Sequence, residues 1–300
     1  MKKIIGMTLI ALGLVGICFG MAFAGAENEY PNGIEGIKAA SLPPPGFYYR
    51  MYNVLYTADT NTDKDGDELD IDFDLTLFAN AHRFIWVSDW KFLGADFASN
   101  IIVPIFNIDL EIGALGVDDS QFGLGDIFIE PFVLAWHGSQ YDTVFAMGVW
   151  APTGQYDKDE PASPGKDMWT WMGTVGGTYY FDTAKTWSAS ILARYEIHGE
   201  KDELEVTPGD DFHFEWGIGK TLEKFWDIGL TGYCQWQVSD DEDESGAAYG
   251  EKDSVYAIGP EVSVFIPSAK LFISLKNQWE FGAEDRSEGN FMCLNFTKIF

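Results

Sequence analysis

Two kinds of side chain alternate without a break in phase from Trp187 to His198. A period of two places the two sets on opposite faces of one β-strand. One set is Trp187, Ala189, Ile191, Ala193, Tyr195 and Ile197, and the other is Ser188, Ser190, Leu192, Arg194, Glu196 and His198. Segments 168–181 and 211–222 repeat the pattern, and about 9–11 residues of strand are enough to cross a bilayer at a tilt. This length, with one apolar and one ionisable face, predicts a transmembrane β-barrel.

The first residues predict export from the cytoplasm. Lys2 and Lys3 precede an apolar run over residues 4–19, and the small residues Ala22 and Ala24 suit cleavage. These features are typical of a secretory signal peptide over residues 1–24, with an uncleaved membrane anchor as the alternative. Loss of the two lysines lowers the basic residues from 19 to 17 against 47 acidic ones, a net charge of −30. Such an acidic chain is not expected to bind nucleic acid.

The mature chain is predicted to consist of a lead-in and a barrel. Residues 25–46 contain Pro31 and prolines at 43–45, which exclude a helix or a central strand and predict an extended periplasmic lead-in. Residues 47–300 form a barrel of twelve strands if 68–87 is one strand with a bulge near Asn80. Two strands there would give thirteen, whereas bacterial single-chain barrels favour even numbers. The predicted strands are 47–56, 68–87, 97–112, 124–136, 141–151, 168–181, 187–198, 211–222, 227–238, 254–266, 271–281 and 290–300.

Long acidic connections alternate with short turns along the chain. The long ones are 57–67, 113–121, 152–167, 200–210, 239–253 and 282–289, and the short ones lie around 138–140, 182–186, 223–225 and 267–269. An antiparallel up-and-down barrel of the bacterial outer membrane has long extracellular loops at one rim and short periplasmic turns at the other. A soluble β-sandwich gives no reason for loop length to be sorted in this way.

Aromatic residues lie near the ends of the predicted strands, as in the interfacial girdles of membrane barrels. Examples are Trp136, Tyr141, Trp169 and Trp226. The last strand is amphipathic and ends at Phe300, which resembles the signal read by the outer-membrane assembly machinery. We therefore expect the protein in the outer membrane of a Gram-negative bacterium, in contact with membrane lipid and lipopolysaccharide.

Several stretches resemble the outer-membrane family of the meta-pathway of phenol degradation, transporters of aromatic or other hydrophobic compounds. They include Leu42-Pro43-Pro44-Pro45-Gly46-Phe47-Tyr48, Gly125-Asp126, Ala151-Pro152-Thr153-Gly154-Gln155-Tyr156, Arg194-Tyr195-Glu196-Ile197-His198, Glu215-Trp216-Gly217-Ile218-Gly219-Lys220-Thr221 and Trp279-Glu280-Phe281-Gly282-Ala283-Glu284. The resemblance covers nearly the whole mature chain. It implies a porin-like barrel that takes up small hydrophobic solutes.

No catalytic or cofactor motif accompanies these strands. The four histidines do not form H-E-x-x-H, and the sequence has neither a G-x-S-x-G elbow nor a phosphate-binding G-x-x-x-x-G-K. We therefore predict a protein without a cofactor that is not an enzyme, with an outer-membrane lipid hydrolase as a lesser alternative. Calcium is a weak candidate for one acidic loop, because oxygen ligands occupy alternate positions there. These positions are Asp59, Asn61, Asp63, Asp65 and Asp67.

Ionisable residues in the lumenal phase predict a polar lining. A symmetric hairpin closed by residues 200–210 would pair Arg194 with Glu215, Glu196 with His213, and His198 with Asp211. Facing pairs of opposite charge stabilise a sheet by about 0.2–1 kcal/mol each. The predicted lining comprises Arg50, Asp72, Asp74, Asp126, Glu130, Arg194, Glu196, His198, His213, Glu215, Lys276 and Glu280. Two hypotheses remain for it: a charged constriction that contacts solute, or an ionic network that fills a narrow barrel.

The sequence thus favours a passive transporter or channel for small hydrophobic or aromatic compounds. The alternative is a structural or surface-interaction barrel whose acidic loops bind ions, lipopolysaccharide or another protein.

Overall fold

The computed structural model describes residues 27–300 and contains fifteen strands. The predicted signal peptide lies outside the described residues. The strands are β1 Gly46–Asn61, β2 Phe73–Phe92, β3 Ala95–Ile112, β4 Val117–Leu124, β5 Ile127–His137, β6 Tyr141–Ala151, β7 Thr170–Tyr180, β8 Trp187–His198, β9 Asp211–Leu222, β10 Trp226–Gln237, β11 Asp241–Glu242, β12 Ala248–Tyr249, β13 Ser254–Ile266, β14 Leu271–Glu284 and β15 Ser287–Ile299. Within residues 27–300, no helix has the length and apolar character to cross a membrane.

Twelve of these strands close into an antiparallel barrel, as predicted from the sequence. Each pairs with its neighbours in chain order, and β1 pairs with both β2 and β15 to complete the ring. The carboxyl terminus lies at this closure, where the amide of Phe300 donates to the carbonyl of Phe47 over 3.1 Å.

The alternation in the sequence corresponds to the two faces of the wall. On β8, Leu192, Arg194 and Glu196 are buried in the lumen, whereas Ile191 and Ile197 are about half exposed on the outside. On β7, Val175 is 60% exposed and Thr174 is buried. Large apolar side chains therefore cover the outer surface and charged ones the inside, which is the reverse of a soluble barrel.

One part of the wall differs from the predicted twelve-strand pattern. The inner half of β3 pairs with β5, but its outer half, Ile105–Ile112, pairs with the additional strand β4. The chain leaves this hairpin at Gly125 and Asp126 before β5 begins. The predicted strand 124–136 is therefore wrong at its start, and part of the predicted loop 113–121 is strand. The sequence of β4 did not indicate a strand, because it is rich in polar residues. β4 pairs with β3 alone, along the part of β3 that does not pair with β5.

Two further boundaries differ from the prediction. The second strand is Phe73–Phe92 and pairs with β1 in continuous register through Asn80, so the predicted bulge is absent there. A register shift occurs instead between Val87 and Lys91, where β2 pairs with β3. In the long connection 239–253, β11 and β12 form a small hairpin.

The lead-in was predicted to lie in the periplasm, but its described residues lie inside the barrel. Tyr30, Ile34 and Ala40 are buried, and Tyr30 and Ile34 pack in the same apolar cluster as Tyr52 and Phe128 of the wall. The prolines exclude regular structure, as predicted. The apolar side chains of Tyr30, Ile34 and Ala40, however, favour burial inside the barrel over exposure to the periplasm.

Replacing Val175 with Arg tests the outward face. A charge at this exposed position in mid-strand is expected to lower the free energy of unfolding in lipid by about 2–4 kcal/mol. Val175→Leu, which stays apolar, is expected to change it by less than about 1 kcal/mol. Equilibrium unfolding of the refolded variants in phospholipid vesicles measures both, and an Arg variant as stable as the Leu variant would contradict a lipid-facing position.

Candidate functional site

Residues 27–45, called here the lumenal segment, run through the barrel from one rim to the other. Near the long-loop rim, Glu27 accepts a hydrogen bond from Nζ of Lys201 over 2.7 Å. Near the short turns, Nζ of Lys38 lies 2.8 Å from Asp227. The candidate site is therefore the lumen together with the segment that fills it.

Carboxylates of the wall bind backbone amides of the lumenal segment. Without a strand partner, these buried N–H groups need other acceptors. Glu196 accepts from the amides of Glu29 (2.6 Å) and Tyr30 (3.0 Å), Glu215 from those of Glu35 (2.7 Å) and Gly36 (3.1 Å), and Glu261 from that of Ile37 (2.9 Å). Hydrogen bonds to charged groups contribute about 1.5–3 kcal/mol each, so these contacts fix the path of the segment.

The segment in turn supplies a carboxylate to two arginines of the wall. Nη1 of Arg50 lies 2.5 Å from Glu35, and Nη1 of Arg83 lies 2.6 Å from it. The hydroxyl of Tyr30 donates to the same carboxylate over 2.7 Å. Burying a charge is costly unless it is paired. Glu35 therefore stabilises the lumen by pairing with both arginines.

Arg194 contacts both the wall and the segment. Its Nη1 donates to Glu215 over 2.7 Å, and its guanidinium carbon lies 3.8 Å from the ring centroid of Tyr30. The predicted contact between Arg194 and Glu215 is therefore present.

The predicted register of β8 and β9 is wrong by two residues. In the backbone, Arg194 lies opposite His213, and Glu215 lies opposite Leu192. The predicted charge contacts survive as diagonal ones: His213 lies 3.0 Å from Glu196, and His198 lies 3.0 Å from Asp211. Long side chains can reach diagonal neighbours across a strand pair. The pattern of charges therefore predicted these side-chain contacts correctly, although it did not predict the backbone register.

Three further residues of the predicted lining also lie in the lumen. Lys276 donates to the carbonyls of Gly33 (2.7 Å) and Ile34 (2.9 Å) of the segment. Glu130 accepts from Asn100 over 2.5 Å. Glu280 accepts from the hydroxyls of the partly buried Tyr56 (2.7 Å) and the buried Tyr233 (2.6 Å).

Glycine is required where the segment meets the wall most closely. Gly36 has a φ of +78°, and a Cβ placed there would lie 1.9 Å from Oε2 of Glu261. Gly33 has a φ of +70°, and its Cβ would lie 2.5 Å from the ring of Tyr233. Side chains at either position would both strain the backbone and displace the segment.

Asp126 holds the loop 152–167 at the long-loop rim. It accepts from the amides of Gly154 and Lys166, each over 2.8 Å. A Cβ on Gly154 would lie 2.6 Å from the Cα of Gly165 and 2.9 Å from the carbonyl carbon of Gly125. Two motifs that are separate in sequence, Gly125-Asp126 and the stretch around Gly154, thus meet at one anchor.

Several predicted residues are not brought to the lumen. Asp72 and Asp74 are exposed, because the neighbouring Phe73 takes the buried position at the start of β2. Of the calcium candidates, Asp63 accepts from the amides of Asp65 and Asp67 and so closes its own turn. Within residues 27–300, no group of three or more His, Cys, Asp or Glu side chains is placed to hold a metal ion.

Four residues that organise the lumen were absent from the predicted lining, namely Glu35, Tyr30, Arg83 and Glu261. Glu261 lies in the predicted strand 254–266, in the same phase as the buried Val255 and Ala257. Glu35 and Tyr30 were missed because the lead-in was placed outside the barrel. Arg83 lies in the predicted strand 68–87, in the same phase as the buried Ala79 and Val87, so consistent use of the period would have identified it.

The family model described as "Putative MetA-pathway of phenol degradation" matches residues 58–296. No curated protein matches the chain in sequence. Among solved structures, an outer membrane channel from Pseudomonas putida F1 is similar with a TM-score of 0.78 at 13% identity, covering 87% of this chain and 97% of that one. This likeness shows the fold alone.

Two autotransporter domains are similar more distantly. The translocator domain of NalP from Neisseria meningitidis has a TM-score of 0.48 at 8% identity, with 98% of each chain covered. The beta domain of BrkA from Bordetella has a TM-score of 0.47 at 12% identity, with 85% of this chain and 99% of that one covered.

The long-loop rim should respond to pH through Asp285, between β14 and β15. Burial and four other carboxylates, those of Asp253, Glu251, Asp241 and Asp63, raise the pKa of Asp285 to about 6. The folded state therefore binds a proton at Asp285 more tightly than the unfolded state does. The contribution of this protonation to the free energy of unfolding is fully present below about pH 4 and is lost as pH rises through about 6.

Asp285→Asn removes this titration. It should therefore raise the thermal midpoint relative to wild type at about pH 8 and leave it nearly unchanged at about pH 4. Thermal unfolding in detergent measures the difference, with Asp70→Asn, at an exposed loop position, as the control. An effect of Asp285→Asn that is equal at both values of pH would show that Asp285 does not titrate as described.

Proposed function

The chain belongs to the phenol-degradation family, and we propose that it is a passive outer-membrane transporter for small hydrophobic or aromatic compounds. The barrel supplies the passage through the membrane, and the lumenal segment controls it. No cofactor is required, because solute would move down its own concentration gradient.

The apolar wall in the inner half of the lumen carries this proposal. Val87, Ala98, Val133 and Ala146 are buried there and pack with Tyr48. A pore for hydrophilic solutes has a polar interior, whereas these side chains offer a surface for apolar solutes. The solved channel from Pseudomonas putida F1 supports a conducting role for a barrel of this shape.

Control of the passage would depend on the lumenal segment. It occupies the lumen between Lys201 and Asp227 and is held by ionic contacts and hydrogen bonds. A small solute can pass beside the segment only if the segment shifts, because close contacts leave no space between segment and wall at the level of Gly33 and Gly36.

The proposal includes location and partners. The apolar outer surface would contact outer-membrane lipid, and the acidic loops would meet lipopolysaccharide outside the cell. Phe300, at the seam between the first and last strands, would be read by the assembly machinery. Catalysis is not part of the proposal, since the buried histidines His198 and His213 each contact a carboxylate inside the wall.

Locking the segment to the wall tests the proposal. A Cβ on Gly219 would lie 2.8 Å from Cγ2 and 3.3 Å from Cγ1 of Ile37, and a cysteine sulfur at residue 37 would occupy one of these positions. Ile37→Cys with Gly219→Cys, in a background lacking Cys234 and Cys293, should therefore form a disulfide. Uptake of toluene or phenol into proteoliposomes should stop when the pair is oxidised and recover after reduction.

The control is Gly219→Cys alone, whose uptake should not depend on the oxidant. Uptake that is absent from wild type, in protein shown to be folded by heat-modifiable mobility, would favour the structural or surface-interaction alternative. Uptake that continues through the locked barrel would show that solute does not need movement of the segment.

A further inference from the structure

A cavity of about 120 Å³ lies inside the barrel, on the short-turn side of the lumenal segment. Residues 39–43 of the segment form one wall of it. A space of this size accommodates about one aromatic ring, since an engineered apolar cavity of ~150 Å³ binds benzene.

The far walls of the cavity are apolar. Val133 of β5, Val144 and Ala146 of β6 and Leu192 of β8 line it. Val133, Ala146 and Leu192 are at most 5% exposed. These side chains suit a ring or short alkyl group and offer no hydrogen bond to it.

Charged groups line the opposite end. Arg50, Arg83 and Arg194 contribute three positive charges, and Glu35 and Glu130 contribute two negative ones. Glu215, which lies outside this lining, balances the charge of Arg194, so a bound carboxylate would be held by the guanidinium N–H donors that the three carboxylates leave unused.

Two of the arginines retain hydrogen-bonding capacity. Among the residues that the structure describes, Arg50 donates one hydrogen bond, through Nη1 to Glu35, and its buried Nε has no partner. Arg194 likewise donates one, through Nη1 to Glu215. A guanidinium has five N–H donors in a planar fork that fits a carboxylate.

We propose that this cavity binds an aromatic monocarboxylate with one ring, with the carboxylate at Arg50 and Arg194 and the ring against Val144, Ala146 and Leu192. This inference narrows the solute class of the proposed function and rests on it, because a bound acid is cargo only if the barrel conducts it.

Binding to the purified full-length protein in detergent tests the site without any need for transport. Calorimetric titration with benzoate, benzyl alcohol and benzylammonium at about pH 7 compares ligands of one size and three charges. Benzoate should bind at least about tenfold more tightly than the alcohol, since charged hydrogen bonds exceed neutral ones, and benzylammonium should bind weakest. Equal affinities for the three would overturn the proposal.

A variant that fills the cavity locates the binding. Ala146→Leu should weaken benzoate binding about tenfold or more by occupying the ring position. Ala81→Leu adds the same bulk to the lumenal face of β2, outside the residues that line the cavity, and should leave binding unchanged. Equal effects of the two variants would place the site elsewhere, and if Ala146→Leu fails to fold, the ligand order in wild type still decides.

Flux of benzoate into proteoliposomes separates the two proposals. Binding with the stated preference but without flux would leave the site intact and refute the transport function. Flux of benzoate that Ala146→Leu does not alter, in protein that shows no binding, would refute the site and leave transport standing.

Discussion

The buried contact of Glu35 with Arg50 and Arg83 is the interaction on which the rest of the lumen depends. This carboxylate lies 2.5 Å from one guanidinium and 2.6 Å from the other. Without it, the two guanidinium groups on neighbouring strands would repel each other, Arg50 would lose its ion pair, and Arg83 would keep only the 3.3 Å contact with Glu130. Breaking a buried ion pair by removing one partner typically costs about 3–5 kcal/mol. Glu35 of the lumenal segment therefore supplies the negative charge that two arginines of the wall require. The segment and the barrel wall depend on each other electrostatically.

The remaining contacts of the segment follow from the same constraint. A chain without secondary structure can be buried only if its amides and carbonyls find partners. Glu196, Glu215 and Glu261 accept from the amides, and Lys276 donates to two carbonyls. Side chains of the wall thus make the hydrogen bonds to the segment that backbone groups would make in a sheet. For this reason charged side chains and the segment occupy space in the lumen that water would fill in an open channel.

The sequence predicted the barrel because period-two patterning is a local property, which β8 shows in the burial of Arg194 and the exposure of Ile191. It also predicted the contact between Arg194 and Glu215, because both residues lie in the lumenal phase of adjacent strands. It did not predict the register of β8 and β9, which depends on the stagger of the closed barrel rather than on one hairpin. The position of Glu35 could not be found either, because its partners lie on strands that only the closed fold brings to it.

Backbone amide hydrogen exchange of residues 27–45 tests most directly whether the wall carboxylates hold the segment. In wild type, peptides covering Tyr30 to Ile37 should be protected to a degree similar to the barrel strands, despite having no secondary structure. Glu35→Gln should raise exchange in this segment by at least about tenfold while leaving β14 and β15 unchanged. Exchange in wild type as fast as in the exposed loop around Asp243 would contradict the account.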